Sequence, residues 1–228
     1  MVLFERFSEH EDDLIKNFHQ HPFFQHFVEL GNRELKDYLI QRWFFTLNFV
    51  PWYDLAINAL SDEDAKLVLK RIVQDETPPG APSHREDLLA DLNAIGISKN
   101  EVLTTRPIRR TRKALTKLNS LVAFSEDHHY DLRTMVALRT AGEILVAEEY
   151  RHLVPDLERR YGLASDKSRF YAPHFYHDRK DSDTGHHTHS FESVLERMIS
   201  DEGKLTVATE SAERAFKAYI SIIPVPIP

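Results

Sequence analysis

The chain contains no cysteine in 228 residues, so metal binding or acid–base chemistry must rest mainly on nitrogen and oxygen, from 13 histidines and 36 acids. Disulfides, thiolate metal sites and cysteine nucleophiles are excluded together. The histidines are uneven. Five lie in "HFYHDRKDSDTGHHTHS", His174 to Ser190, interleaved with aspartates. Such a stretch is either a solvated tract that binds zinc or nickel loosely, or part of a built site.

Periodicity separates candidates that face a helical core from those that face water. Glu76 shares a stripe with Val73, Ile72, Leu69, Val68 and Ala65, whereas Asp75 is lateral. His84 continues into Leu88, Leu92 and Ile95. Glu143 lies with Val136, Val146 and Tyr150, and Glu149 with Leu138, Leu145 and Leu153, so periodicity does not choose between them. Glu148 lies with Arg151 and His152 and is expected in solvent. His174 and Asp178 are four apart on one face, and His177 and Asp181 form a second such pair. His187 leads into Phe191, Val194, Leu195 and Met198 and points inward; His186 and His189 point out. The inward set is Glu76, His84, Glu143 or Glu149, His174, Asp178 and His187. Six such donors are enough for two metal ions, and their mix of carboxylate and imidazole suits iron, with manganese the alternative. Buried acids without a cation would be costly, which is a physical reason to expect one.

The elements that must position this set read as all-α: one domain, residues 1–228, forming a bundle of seven to eight helices with residues 223–228 as an extended tail. Helices are expected over Ser8–Glu29 with a break near His21–Pro22, and over Glu34–Leu60 with a kink at Pro51. Another opens at Ser61 as N-cap and ends near Glu76. Ser83 caps the next and Gly96 closes it. Pro107 is placed in the first turn of a helix through Phe124. The longest runs from Asp131 to Gly162. A helix from about Asp166 carries His174, the chain breaks at Thr184–Gly185, and a last helix begins near Ala208. The net charge of −7 argues against a nucleic-acid partner. The apolar run from Trp43 is broken by Asn48, Pro51 and Asp54, so it reads as a buried helix and no membrane span is expected. No signal peptide is visible and the cytoplasm is the expected compartment. The expected partner is a small-molecule substrate, with a homodimer as the protein assembly considered.

The motifs "HPFFQHF", "RIVQDETPPGAPSH", "GEILVAEEY", "RRYGL" and "RFYAPHFYHD" resemble those of the heme-oxygenase-like diiron oxidases and oxygenases, the CADD-like family within the TenA, PqqC and heme oxygenase superfamily. The resemblance implies a heme-oxygenase-like bundle without heme. It also implies two Fe2+ ions, O2 as co-substrate, metal ligands Glu76, His84, Glu143, His174, Asp178 and His187, and catalytic roles for Glu76, Glu143, His174 and Asp178. The family's Glu lies about thirty residues before the next His, which selects Glu143 over Glu149. Two departures stand out. The gap from Glu76 to His84 is one residue longer than the family's. Position 182 is serine where a histidine is expected, so the last ligand must follow the insertion "RKDSDTG". The implied substrates are amino acids or fatty acids, often in natural-product pathways. Arg139 is a candidate partner for a substrate carboxylate, the aromatic run from Tyr38 a candidate pocket lining, and Glu86, Asp87 and Asp183 candidate partners for the free imidazole nitrogens. TenA-type thiaminases need a cysteine that is missing here. Heme oxygenases need a proximal histidine, for which His19, His21 and His26 are available, but would leave the buried acids unexplained. A cofactor-free oxidase resembling pyrroloquinoline-quinone synthase and a non-catalytic metal-binding protein are the alternatives.

Overall fold

The computed structural model describes residues 2–181 and 186–224, with residue 186 as backbone alone. The described residues are helical, with no strand among them. Seven long helices span Leu3–His19, Asn32–Ala59, Glu63–Glu76, His84–Ala94, Arg109–Val122, Tyr130–Tyr161 and Glu202–Ile220. Short segments at Pro22–Gln25, Lys99–Thr104, Tyr171–Asp178, His186–Ser190 and Glu192–Met198 carry the number above the seven to eight expected. The expected break at Thr184–Gly185 and the end of the tail, 225–228, lie outside the described residues.

Local chemistry accounts for most boundaries and corrects three. The helix Glu63–Glu76 is capped by Asp62, whose carboxylate accepts from Ala65 N at 2.9 Å. Ser61 is not the cap: its hydroxyl and amide both donate to Asp131 on the longest helix. Ser83 does cap His84–Ala94, with Glu86 returning to the Ser83 amide at 2.8 Å, and Gly96 closes it at φ +78°. Pro107 precedes the helix Arg109–Val122, whose N-cap is Ile108, so the proline sits outside the first turn. The helix expected from Asp166 begins only at Tyr171, because the chain first turns through Ala164–Ser168 and docks on Asp91. That buried carboxylate accepts from Ser168 Oγ at 2.7 Å and from the amides of Arg169, Phe170 and Tyr171 at 2.8, 3.0 and 3.2 Å.

The longest helix passes through the middle of the bundle, packing against Leu3–His19, Tyr171–Asp178 and Glu202–Ile220. Its Leu138–Ile144 stretch adopts π-helical hydrogen bonding, a local widening frequent at functional sites. Around it one hydrophobic core gathers Phe7, Phe18, Trp43, Phe45, Trp52 and Leu69 among others.

Eight acids are buried among the described residues, and half of them meet a guanidinium. Arg139 does not face a cavity: it is fully buried, donates to Glu11 at 3.0 Å and to the Thr188 carbonyl, and so joins the first helix to the segment carrying His187. Glu148 is buried, not solvated as expected, because the part-exposed side chains of Arg151 (Nε at 2.8 Å) and His19 (Nε2 at 2.9 Å) cover and pair with it. Glu149 accepts from Arg42 Nε at 2.7 Å and from the Tyr219 hydroxyl at 2.6 Å. Asp156 pairs with Arg159 and Arg160.

Replacing Asp91 by alanine strands the donors that anchor the turn before Tyr171. Chemical denaturation of Asp91→Ala should show a loss of about 3 kcal/mol; a loss within the noise of a surface substitution contradicts the anchoring role.

Candidate metal centre

Three buried acids among the described residues are met by neither a guanidinium nor backbone amides, and they converge. Glu76 ends the helix Glu63–Glu76, Glu143 projects from the π-helical stretch, and Asp178 ends Tyr171–Asp178. Each meets imidazoles. Glu76, His84 and His174 form one group, and Glu143, Asp178 and His187 another, each with its ligand atoms within 4.8 Å of one another. All six residues expected from the sequence are therefore brought together, as two triads. Both departures from the family spacing are absorbed. The longer gap after Glu76 is taken up in the loop before His84, where Gly80 adopts φ +78°. Beyond the insertion, Thr188 Oγ1 donates to the Asp178 carbonyl at 2.5 Å and returns His187 to the site.

In the first triad, Glu76 Oε1 lies 3.0 Å from His84 Nδ1 and 3.5 Å from His174 Nε2. His174 Nδ1 donates to the Phe170 carbonyl at 2.7 Å, which fixes the ring and turns Nε2 toward Glu76. In the second, His187 Nδ1 lies 3.2 Å from Asp178 Oδ1 and 3.5 Å from Glu143 Oε2, while its Nε2 is 3.3 Å from the exposed Asp75 carboxylate. The free imidazole nitrogens thus use a carbonyl and Asp75. Glu86 is engaged with Ser83 and Asp87 with Arg169, contrary to expectation, and Asp183 lies outside the described residues. His177 is exposed, and its expected partner Asp181 pairs with Arg151 and Arg179. His189 meets Glu192 at 2.7 Å, and the side chain of His186 lies outside the described residues.

The charges are strongly coupled. Burial works against the Glu76 carboxylate, but the imidazoles of His174 and His84 beside it prevail and hold it at about 2. Burial likewise opposes the His174 imidazolium, yet Glu76 raises it to about 9. His187 rises to about 12 against burial, through Asp178 and Glu143. Burial lifts the Glu143 carboxyl above its ordinary range; His187 pulls it down and the Asp178 charge pushes it up. Protonated imidazoles are the cations that balance these acids.

The donors also fit a metal ion. His84 Nδ1, Asp178 Oδ1 and His187 Nδ1 are buried and make no hydrogen bond to any described residue, although each has an oppositely charged atom close by. Donors that approach without aligning on one another are placed as ligands of a shared ion would be. Nitrogen and oxygen donors without sulfur match iron.

Sequence reasoning missed Tyr53. Its buried hydroxyl donates to Glu143 Oε1, leaving Oε2 for the triad, and its ring stacks on Phe49 at 4.4 Å. The signal was a phenol one turn beyond Phe49 in the aromatic run. The run does line the centre: Phe45, Thr46 and Phe49 border a small void against Glu76 and Glu143. On the outer side a cavity of about 430 Å³ opens between Asp75, Pro78, Pro173 and His177, with His84 and His187 in its wall.

A model of the family described as iron-containing redox enzyme matches residues 36–220. The chain belongs to that family. It is thereby an oxidoreductase in the general sense, with the heme-oxygenase-like fold. A CADD-like protein of unknown function from Nostoc punctiforme PCC 73102 superposes with a TM-score of 0.72 at 15% identity, over 96% of this chain and 95% of that one. A second structure of a CADD-like protein from that organism gives 0.61 at 17%, over 98% and 99%. A TenA family transcription regulator from Silicibacter sp. TM1040 gives 0.61 at 14% identity, over 97% of each chain. At these identities the likeness is one of fold. No curated protein matches the chain.

The site predicts its own protonation. Nitrogen NMR of the metal-free protein at about pH 7.5 should find His174 and His187 doubly protonated, where an ordinary histidine is neutral. Glu76→Gln should return His174, and not His187, toward ordinary behaviour. Neutral rings in the unsubstituted protein contradict the coupling described.

Proposed function

We propose that the chain is a non-heme diiron enzyme that uses O2 to oxidise a small amino-acid-like substrate, with Glu76, His84 and His174 at one iron and Glu143, Asp178 and His187 at the other. The observation that carries this reading is a contrast among buried acids. Glu11, Glu148, Glu149 and Asp156 are each met by arginine, whereas Glu76, Glu143 and Asp178 are met by imidazoles. An arginine charge is permanent; an imidazole can give up its proton and become a ligand. Two ferrous ions would supply the electrons for reducing O2, which amino-acid side chains do not.

The surrounding residues have separate tasks. The Phe170 carbonyl and Asp75 hold His174 and His187 in orientation. Tyr53 fixes one Glu143 oxygen. Phe45, Phe49 and Phe170 keep water from the inner side. The outer cavity is large enough for a small organic molecule, and the exposed Asp75 carboxylate on its rim suits an ammonium group. This favours an amino acid over a fatty acid, and a natural-product pathway is the setting proposed. Arg139 is committed to Glu11, so recognition of a substrate carboxylate does not fall to it.

Anaerobic titration should load two Fe2+ per chain, and O2 with substrate should then give product. Glu143→Ala and His174→Ala should each lower iron stoichiometry and abolish turnover. Full activity in metal-stripped protein would instead establish the cofactor-free oxidase, and iron uptake unaffected by Glu76→Ala would establish loose binding by the histidine tract. Affinity should also depend on pH. His174 and His187 both hold protons between about pH 6 and 8, so each ion displaces one, and affinity per ion should rise about tenfold per pH unit. A flat profile contradicts ligation by these two rings.

A further inference from the structure

The metal centre has an inner face as well as an outer one. On the inner face lies a void of about 20 Å³, with Glu143 and Asp178 on one side and Phe45, Phe49 and Val146 on the other. It shares Phe45 and Gly142 with a second void of about 10 Å³ beneath Trp52, Leu118 and Ala141. That void in turn shares Leu121 and Ala137 with a surface depression of about 140 Å³ at Ser120, Tyr130 and Arg214. Leu121 is only partly buried, so the series of hollows starts at the surface and ends at the carboxylates.

Three features say what could occupy this seam. Its inner voids are about the size of one water molecule, far below any organic substrate. The second void is lined by apolar side chains, Trp52 carrying the one polar side-chain atom, an indole N–H with no partner among the described residues. A buried water needs two to four polar partners, so one donor does not hold it, whereas dry apolar cavities in proteins bind xenon. Finally, the junction between the voids is a glycine. A Cβ at Gly142 would come within 2.8 Å of the Tyr53 hydroxyl and 3.5 Å of the Phe49 ring. Glycine therefore both admits the Tyr53–Glu143 hydrogen bond and leaves the junction open.

We propose that this seam, from Leu121 past Ala137 and Gly142 to Glu143, is a binding path for a small uncharged gas, by which O2 reaches the metal centre from the core side, separately from the organic substrate in the outer cavity. The proposal rests on the O2-dependent reading above. Such a division keeps the polar-lined outer cavity for a polar substrate and brings in the co-substrate through surface that water does not favour.

Xenon is the probe for the path, applied under pressure to crystals of the metal-free protein, and stopped-flow oxidation of the iron-loaded protein by limiting O2 is the probe for its use. Xenon should bind between Phe45, Gly142 and Leu121. Leu121→Trp, which fills the mouth, should slow oxidation by about tenfold or more with iron stoichiometry unchanged. Leu121→Ala should react at least as fast as the unsubstituted protein. Ala137→Leu, which narrows the path one step further in, serves as a second block should the tryptophan variant not fold. Unchanged oxidation rates in a folded blocking variant, or xenon found only in the outer cavity, overturn the proposal. If iron-loaded protein consumes no O2, the enzymatic reading and the O2 path fall together. If it consumes O2 and the blocks have no effect, the path alone falls.

Discussion

A carboxylate inside a helical bundle must be matched by positive charge or by a dense set of donors, and this fold depends on how each match is made. Three solutions coexist. Asp91 is satisfied by backbone amides and a hydroxyl, and in return fixes where the helix of His174 begins. Glu11, Glu148, Glu149 and Asp156 take arginines and tie helices together. Glu76, Glu143 and Asp178 take imidazoles, and these alone can exchange a proton for a metal ion. Removing one partner of a buried pair costs about 3–5 kcal/mol, because the other is left charged and alone. The same penalty that holds the scaffold together makes the two triads receptive to cations.

The scaffold and the centre share parts. Arg139 sits one turn before Glu143, and through it Glu11 on the first helix is connected to the Thr188 carbonyl, next to His187. The Thr188 hydroxyl reaches the Asp178 carbonyl, next to that ligand. The segment that the insertion separates from the rest of the site is thereby held from two sides by buried contacts. Tyr53 does the same for Glu143 from the aromatic helix, in the space that Gly142 leaves for its hydroxyl. Positioning of the second triad thus draws on five separate helices.

Much of this was legible from residue spacing. The inward stripes identified Glu76, His84, His174, Asp178 and His187, because period 3.6 assigns a face regardless of what lies opposite. Where the outcome depended on the opposite side, spacing was silent or wrong. Glu143 and Glu149 are both fully inside; only Arg42 and Tyr219, far away in sequence, make Glu149 structural. Glu148 was expected in water because its neighbours on the helix are polar, yet those polar neighbours, with His19, are what allow it to be buried. Arg139 was offered to a substrate because Glu11 could not be placed beside it. The π-helical stretch shifts the register around Glu143, a change no periodic template contains. Capping followed local chemistry, and Asp62 displaced Ser61 only because Asp131 claims the serine from another helix.

Anomalous X-ray diffraction at the iron edge, on crystals of protein loaded with Fe2+ without oxygen, tests the central claim most directly. The account predicts two peaks in each chain, one enclosed by Glu76, His84 and His174 and the other by Glu143, Asp178 and His187. Iron confined to His177 and His189 at the surface, or a single peak with one triad still closed on its own proton, would contradict it.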